Sequence, residues 1–437
     1  MSFAPGPGLP GANLPLVAAV QMGYGHLRAA HSIAAALGVP VLRADLAPAA
    51  SAAEVEEWRT IRTRYEHLTR LATRPWAGLA ARWVLEALTQ IPQPAVIGDF
   101  SAPSYGCRYL QKRIDAGLGD TLAAMVKTAG APLLTTFYAV ALALQRKVDT
   151  PVYCVVTDSD VNRIWAPPQP RSCSIRYLAP CAEVAQRLAD YGVDRAQVRV
   201  TGFPLSDSLV GGRDRGTLKR NLRTRLGHLD PLGTFERDYG DAVMAELGHF
   251  AFTEGPVQLT FAVGGAGAQA GFVDRLLPAV GALIASGELR LVLVAGVRPE
   301  VEAHFSRALA RAGMTRYLND GIEVIAAPTI DSYLRRFDAA LATTDILWTK
   351  PSELSFYAAL GLPLMLAPAV GVHEERNRLW LVQQGAAVEQ PEIEKLGWWL
   401  RARLADGSLA RAAWNGAARL DSLGLYNILD VIRGGAW

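Results

Sequence analysis

One pattern occurs twice in this chain and restricts its fold more than any other feature. Apolar runs at 14–20 and 257–263 each lead into a glycine-rich turn, and helical patterns at 27–37 and 272–286 follow the turns. Short runs rich in Val and Leu are typical of buried parallel strands, and clustered glycines let the chain turn tightly. Because the first N–H groups of the following helix point into the turn, each unit favours a bound anion.

Further strands alternate with helical patterns in both halves. Strands are predicted at 94–100, 131–137, 152–158, 289–296, 322–327, 339–345 and 362–368, and helices at 108–128, 181–191, 300–313 and 330–337. This alternation indicates α/β architecture, with parallel sheets covered on both faces. We predict two doubly wound, Rossmann-like domains at 1–208 and 209–420, an insertion at 234–256, and a C-terminal segment, 421–437, whose helix packs back on the first domain.

Composition excludes several classes of protein. Half of the 437 residues are hydrophobic and 19% are charged, which excludes a disordered or fibrous chain. The net charge of +3 argues against nucleic acid as the main partner. Four cysteines without a CxxC pair fit neither a zinc site nor a disulfide framework. Because no apolar run reaches ~18–20 residues and the start lacks a basic signal region, we expect a cytoplasmic protein, attached at most to a membrane surface.

The first glycine turn, Gly23-Tyr24-Gly25-His26, is a candidate catalytic element. Its glycines permit a positive φ and the close approach of a ligand. The positive end of the helix disfavours a protonated imidazole, so His26 would stay neutral and could accept a proton. The alternative is a capping or buried structural histidine.

The second glycine turn contains Gly264, Gly265 and Gly267 and is a candidate phosphate cradle. Close packing of a helix on a sheet also requires glycine, so this alternative stays open. A third candidate is Asp158-Ser159-Asp160, which follows a predicted strand. Such a triplet can hold a divalent metal, but Asp158 is better interpreted as a polar group facing the ligand crevice, or as a turn or cap residue.

The segment 344–387 holds the densest set of polar candidates, which are Lys350, Ser352, Glu353, His373, Glu374 and Asn377. Ser352 could cap a helix that begins at Glu353, directly after Lys350. Glu374 and Asn377 are three apart at the start of another helix and so share a face. A carboxylate and an amide placed together suit hydrogen bonding to sugar hydroxyls; the alternative is a capped, solvated helix face.

A basic and aromatic stretch at 58–88 interleaves six arginines with Trp58, Trp76 and Trp83. Such a stretch can dock on an anionic lipid surface. A solvated basic face with core tryptophans is the alternative.

Five segments, in order, resemble the GT-B glycosyltransferases of family 28, which include monogalactosyldiacylglycerol synthases and the N-acetylglucosaminyltransferase that completes lipid II. Residues 23–37 resemble the family's GxGH loop and helix, 154–167 its VVTD…W segment, and 177–204 its signature ending in Gly-x-Pro. The segment 261–267 (FAVGGAG) and the run KPSELSFYAALGLP…HEERN…GAA complete the series. The resemblance spans about residues 16–390.

The resemblance implies two domains facing a cleft and inverting transfer of a sugar from a nucleotide diphosphate donor, usually UDP-linked. The second domain would bind the donor, through the glycine turn and the polar set of 344–387. The first would bind an acceptor, with a lipid or membrane-associated molecule as one candidate, near four residues that match its motifs: Gly23, Gly25, Arg28 and Trp165. His26 or Asp158 would deprotonate the acceptor hydroxyl, and no metal or cofactor is expected.

One departure from the family concerns nucleotide recognition. Family members place a ribose-binding glutamate in the helix before Gly-Leu-Pro, at a position near Phe356 here, whereas the glutamate of this chain is Glu353, one turn earlier. The displaced glutamate leaves a non-catalytic binding subunit open. A nucleotide-sugar epimerase on the same fold is a separate alternative.

Overall fold

A computed structural model of the protein describes residues 14–72, 91–92, 99–264, 267, 269–369 and 371–434. The chain divides into two compact units, each with its own sheet. The first consists of Met1–Leu205, Gly371–His373 and Leu423–Trp437, and the second of Ser206–Val370 and Glu374–Ser422.

The first unit contains six described strands, which are β1 (Leu16–Ala19), β2 (Val41–Arg43), β3 (Leu133–Thr135), β4 (Val152–Val155), β5 (Arg176–Ala179) and β6 (Val198–Val200). They are all parallel, in the order β2-β1-β3-β4-β5-β6. Its described α-helices are α1 (Tyr24–Leu37), α2 (Ala52–Ala72), α3 (Tyr105–Asp115), α4 (Asp120–Ala129), α5 (Tyr138–Leu144) and α6 (Ala182–Asp190). Short 3₁₀ helices cover Arg163–Trp165, Pro170–Ser172 and Arg195–Gln197.

The second unit contains the parallel strands β7 (Val257–Ala262), β8 (Leu289–Gly296), β9 (Ile322–Ala326), β10 (Ile346–Thr349), β11 (Leu364–Leu366) and β12 (Ala387–Glu389), in the order β12-β11-β10-β7-β8-β9. Its helices are α7 (Asp207–Val210), α8 (Gly216–Leu229), α9 (Thr234–Leu247), α10 (Val273–Ala285), α11 (Pro299–Arg311), α12 (Ile330–Thr343), α13 (Val372–Gln384, which begins in the first unit), α14 (Leu396–Ala405) and α15 (Ser408–Arg419). Its 3₁₀ helices cover Ala270–Phe272, Thr315–Tyr317, Glu353–Leu360 and Ile393–Lys395.

Both sheets reverse their direction of winding once. In the first unit β2 lies on one side of β1 and β3 on the other, and in the second unit β8 and β10 flank β7 in the same way. The two doubly wound parallel sheets predicted from the sequence are therefore confirmed. In such sheets ligands bind at the carboxyl ends of the strands where the winding reverses, which directs attention to the ends of β1 and β3 and of β7 and β10.

The final helix, α16 (Gly424–Ile432), belongs to the first unit and lies against α1. Asn427 donates a hydrogen bond from Nδ2 to the carbonyl of Thr201 at 2.8 Å. A Cβ added at Gly424 would lie 2.3 Å from the carbonyl oxygen of Phe203, so glycine is required for this close approach.

Two predicted elements are wrong. The strand predicted at 339–345 is helical up to Thr343, because a capping box at Thr329 starts α12 and helically spaced residues such as Phe337 and Leu341 are buried along it. The single helix predicted at 108–128 is two helices, since Gly117 and Gly119 adopt φ of 108° and 87° between them. Most of the strand predicted at 94–100 lies outside the described residues.

The stretch proposed for membrane docking is only partly described. Trp58, on α2, is 5% exposed and packs against Phe137 with ring centroids 6.0 Å apart, so it is a core residue. Arg59 is exposed and pairs with Glu56. The side chains of 64–72 and all of 73–88, including Trp76 and Trp83, lie outside the description. Across the described ranges, no helix is both long enough and apolar enough to cross a membrane.

A buried hydrogen-bond network fixes the amino-terminal edge of the second sheet. Asp345, just before β10 and 2% exposed, accepts a hydrogen bond from the backbone N–H of Gln258 at 2.8 Å. The Nδ1 of His228, on α8, lies 3.1 Å from Oδ1 of the same carboxylate. This hydrogen bond raises the pKa of His228 above its ordinary value of 6.5, although burial opposes the increase.

The shifted pKa of His228 predicts a pH-dependent stability. Because the folded-state pKa is the higher one, protonated His228 stabilises the fold fully below the unfolded pKa, and this contribution is lost as the pH rises through the folded pKa. In urea titrations, His228→Gln should therefore lower the free energy of unfolding more at about pH 5.5 than at about pH 9. An equal loss at both pH values would contradict this assignment.

Candidate functional site

The first glycine turn lies at the reversal point of the first sheet. Gly23 has φ 146°, a region that favours glycine, and α1 starts directly after it. His26 is the third residue of α1 and is half-buried. The turn therefore brings His26 to the carboxyl end of β1, as the sequence pattern predicts.

Hydrogen bonds fix the orientation of the His26 ring. Nδ1 lies 2.7 Å from the backbone carbonyl oxygen of Thr136, just beyond β3, and 3.2 Å from Oγ1 of Thr157, just beyond β4. A carbonyl oxygen only accepts, so Nδ1 carries the proton and donates. In the neutral ring Nε2 is then the basic nitrogen. His26 is thus held in the tautomer that a general base acting through Nε2 requires.

The Asp158-Ser159-Asp160 triplet follows β4, and its two carboxylates differ in their surroundings. Both oxygens of Asp160 accept hydrogen bonds from Arg187, at 2.9 and 3.1 Å, so this carboxylate belongs to a structural ion pair. Asp158 is half-buried in the loop that follows β4. Among the described side chains, no group of three or more His, Cys, Asp or Glu is placed to hold a metal ion.

The remaining first-unit candidates have little accessible surface. Arg28 is 3% exposed and Trp165 is 5% exposed. The Trp165 ring packs against Tyr138 with centroids 5.1 Å apart, and its carbonyl oxygen accepts a hydrogen bond from the Tyr177 hydroxyl at 2.6 Å. Contact of either side chain with an acceptor stays a prediction.

A cavity of about 80 Å³ lies beside the first glycine turn. Its lining comes from the loop after β1, the residues after β2, and α2, and consists of Val20, Gln21, Met22, Asp45, Leu46, Val55, Trp58, Arg59 and Arg62. Asp45 is held by Arg43, which donates to both of its carboxylate oxygens. The lining combines apolar side chains with Arg59 and Arg62, and its residue Met22 directly precedes the turn that carries His26.

The second glycine turn lies at the reversal point of the second sheet. Gly264 follows β7, and a Cβ added there would lie 2.6 Å from Cε of Lys350, which follows β10. The Lys350 side chain therefore occupies the space that glycine leaves open. Gly267 has φ 71° and donates its N–H to the carbonyl of Gly264 at 2.8 Å. Gly265 lies outside the described residues.

Lys350 and Glu374 form an ion pair beside this turn. Nζ donates to Oε1 at 2.5 Å, with the Glu374 side chain 3% and the Lys350 side chain 23% exposed. Asn377, one turn further along α13, is fully buried and donates to the carbonyl of Pro351 at 3.4 Å. Glu374 and Asn377 share a buried face of α13, so the solvated-face alternative does not describe them. His373, just before Glu374, is half-buried.

The helix predicted to begin at Glu353 is of a different type from the one expected. Residues Glu353–Leu360 form a 3₁₀ helix, and the Ser352 side chain makes no capping bond but donates to the carbonyl of Lys350 at 3.4 Å. The capping role of Ser352 is therefore wrong. Phe356 is buried against Trp380, with ring centroids 5.3 Å apart, whereas Glu353 is half-buried. Residues three apart eclipse in a 3₁₀ helix, which puts Glu353 on the same side as Phe356.

Sequence reasoning missed several residues at these two edges. Arg298, just beyond β8, places Cδ 3.8 Å from the position of a Cβ at Gly267, so it flanks the glycine turn opposite Lys350. Gln269 follows the same turn and is 7% exposed. Thr136 and Thr157 orient His26. The available signal was position: Thr136 and Thr157 lie at the carboxyl ends of the strands predicted at 131–137 and 152–158, and Arg298 follows the strand predicted at 289–296.

The second unit thus brings together a glycine turn, two flanking cations and a buried carboxylate–amide pair. Backbone N–H groups and cations at such a turn suit a diphosphate, and carboxylate and amide groups suit hydroxyls. The first unit fixes the tautomer of His26 so that Nε2 is the basic nitrogen of the neutral ring, in a turn that directly follows cavity-lining Met22. The arrangement in the second unit suits binding of a diphosphate-linked donor, and the arrangement in the first unit suits removal of a proton from an acceptor hydroxyl.

Residues 251–427 match a family described as a domain of unknown function (DUF6938). The chain is 30% identical over 142 residues to an Azotobacter vinelandii UDP-N-acetylglucosamine--N-acetylmuramyl-(pentapeptide) pyrophosphoryl-undecaprenol N-acetylglucosamine transferase, which covers 31% of this chain and 36% of the relative. The chain thus spans about a third of the length of this curated relative.

Solved structures are similar over more of the chain at lower identity. Acinetobacter baumannii MurG is 13% identical with a TM-score of 0.48, covering 96% of this chain and 99% of its own. A Neisseria meningitidis UDP-GlcNAc 2-epimerase bound to UDP-GlcNAc is 11% identical with a TM-score of 0.46, covering 96% and 99%. The partial sequence similarity to the Azotobacter transferase confirms the resemblance to the family-28 glycosyltransferases predicted from the motifs.

Proposed function

We propose that this protein is an inverting, metal- and cofactor-independent glycosyltransferase that moves a sugar from a UDP-linked donor to an acceptor hydroxyl. The observation that carries the proposal is the packing of Lys350 against Gly264, where the second sheet reverses its winding. A cation beside a glycine turn at this point supports binding of a nucleotide diphosphate. The sequence similarity to a UDP-N-acetylglucosamine-dependent transferase supports the same donor class.

In this proposal the second unit binds the donor. Lys350, Arg298 and the N–H groups of the glycine turn neutralise the diphosphate, whose negative charge grows as the bond to the sugar breaks. Glu374 and Asn377 bind hydroxyls of the transferred sugar. Glu353, in place of a glutamate nearer Gly361, binds the ribose hydroxyls.

The first unit then activates the acceptor. Nε2 of His26 accepts the proton of the acceptor hydroxyl while its oxygen attacks the anomeric carbon. The bond from that carbon to the diphosphate oxygen breaks on the opposite face, its electron pair leaves with UDP, and the configuration inverts. Asp158 is the alternative base.

The proposal also concerns the chemical class of the acceptor. The name of the curated relative contains a pyrophosphoryl-undecaprenol acceptor, and the apolar and arginine side chains that line the first-unit cavity suit an amphiphile with an anionic group. We infer that the acceptor of this protein is also lipid-linked. The protein would then act at the cytoplasmic surface of a membrane. Flotation with anionic and with neutral liposomes tests this part separately, and no binding to either would count against it.

Isothermal titration with UDP, ADP and GDP tests the donor assignment. We expect the folded protein to bind UDP more tightly than the other two, and binding of none of them would overturn the proposal. Incubation with UDP-sugars should release UDP slowly without acceptor, and EDTA should not change the rate. A free epimerised sugar would favour the epimerase alternative, and UDP binding without any turnover would favour a non-catalytic subunit.

A further inference from the structure

Gln269 follows the second glycine turn, and the nitrogen and oxygen of its buried side-chain amide differ in their hydrogen bonding. Its side chain is 7% exposed, and Nε2 donates to the carbonyl oxygen of Pro368 at 3.4 Å. Within the part of the chain that the structure describes, Oε1 is buried and has no hydrogen-bond partner. A buried acceptor left unsatisfied destabilises a fold, so it calls for a physical explanation.

The orientation of the Gln269 amide follows from its neighbour. The Pro368 carbonyl can only accept a hydrogen bond, so the amide nitrogen must face it and the amide oxygen must point the other way. Rotating the amide by 180° would put two acceptors together. Oε1 is therefore fixed as a vacant acceptor.

Gln269 lies at the same sheet edge as the proposed donor site. Pro368 is two residues beyond β11, in the loop that leads to Glu374 and Asn377 on α13. Thr349, the last residue of β10, is 1% exposed, and its Oγ1 is also buried without a partner among the described residues. Two unsatisfied polar atoms therefore lie at the carboxyl edge of one sheet.

The chemistry of a vacant acceptor restricts the ligand group that fills it. Diphosphate oxygens are themselves acceptors, so they cannot pair with Oε1, whereas a hydroxyl can donate to it. A nucleotide sugar has hydroxyls on the ribose and on the transferred sugar. We propose that Gln269 is a specificity-determining residue whose Oε1 accepts a hydrogen bond from a hydroxyl of the transferred sugar. We assign the hydroxyl to the transferred sugar and not to the ribose because Gln269 is hydrogen-bonded to Pro368, in the loop that leads to Glu374 and Asn377. This assignment rests on the proposed function.

The test compares Gln269→Leu with wild type by isothermal titration. The ligands are UDP and whichever of UDP-N-acetylglucosamine, UDP-glucose and UDP-galactose wild type binds most tightly. We expect the ratio of the UDP-sugar Kd to the UDP Kd to rise about fivefold to tenfold, the loss of one hydrogen bond. The Tm of the ligand-free variant should change little, because leucine removes the unsatisfied oxygen but also the long hydrogen bond to the Pro368 carbonyl. Gln383→Leu, at an exposed glutamine of α13, is the matched control and should change neither quantity.

Each other outcome is informative. An unchanged Kd ratio would overturn the inference, and a lower Tm with an unchanged ratio would assign Gln269 a structural role. Equal weakening of UDP and UDP-sugar would place the contact on the nucleotide and also overturn it. Wild-type protein that binds no UDP would instead refute the proposed function, from which the inference derives.

Discussion

His26→Asn is expected to lower the turnover number about 10²- to 10⁴-fold while leaving the Kd for UDP unchanged. The asparagine amide N–H can replace Nδ1–H in the hydrogen bond to the Thr136 carbonyl, which is 2.7 Å long in the native protein. The substitution removes Nε2, the proposed proton acceptor, together with the edge-on contact of the ring with Phe137. Release of UDP in the presence of acceptor measures turnover, and isothermal titration measures UDP binding.

Two further variants make this prediction specific. His31→Asn changes a histidine on the same helix, about 140° around its axis from His26, and should retain turnover within a few-fold. Asp158→Asn tests the alternative base. Full activity of His26→Asn together with a large loss in Asp158→Asn would assign the proton transfer to Asp158.

The sequence was sufficient to place both glycine turns on the sheets. A strand, a glycine cluster and a helix succeed one another within 14–37 and again within 257–286, so local spacing alone put Gly23 and Gly264 at carboxyl strand ends. The reversal of winding was not readable, because it depends on β3 lying beside β1 and β10 beside β7. The contacts of His26 with Thr136 and of Gly264 with Lys350 follow from those neighbours, so only the structure revealed them.

The type of helix after β10 affects which residue is expected to bind the ribose. The sequence pattern between Ser352 and Gly361 is compatible with an α-helix, in which successive residues are rotated by about 100°. The 3₁₀ helix rotates them by about 120°, because each turn contains three residues. Glu353 and Phe356, which are three residues apart, therefore eclipse in the 3₁₀ helix, whereas in an α-helix they would be about 60° apart around the axis.

Buried polar pairs were the least predictable part of the site. Glu374 and Asn377 were placed on one helix face by their spacing, but solvated and buried faces have the same spacing. The burial of Glu374 depends on Lys350, which pairs with it from another strand end. Long-range pairing of this kind is a property of the sheet order and not of any local pattern.

The Lys350–Glu374 pair gives the second prediction of large effect. Lys350→Met should lower the free energy of unfolding by about 3–5 kcal/mol, because it leaves the Glu374 carboxylate buried without its cation. The same variant should bind UDP at least tenfold more weakly, since one of the two cations beside the glycine turn is removed. Urea titration measures the first effect and isothermal titration the second.

A matched control and a double variant separate these two effects. Lys395→Met removes an equally simple ion pair, with Glu392, in which both side chains are about two-thirds exposed, and should change stability by under about 1 kcal/mol without affecting UDP binding. Lys350→Met combined with Glu374→Leu removes the buried charge altogether and should recover most of the lost stability, but not the UDP affinity. Recovery of both would mean that Lys350 matters only through folding. If Lys350→Met alone kept both wild-type stability and wild-type UDP affinity, Lys350 would not belong to the donor site. Loss of a buried ion pair beside a bound diphosphate should change at least one of these two quantities.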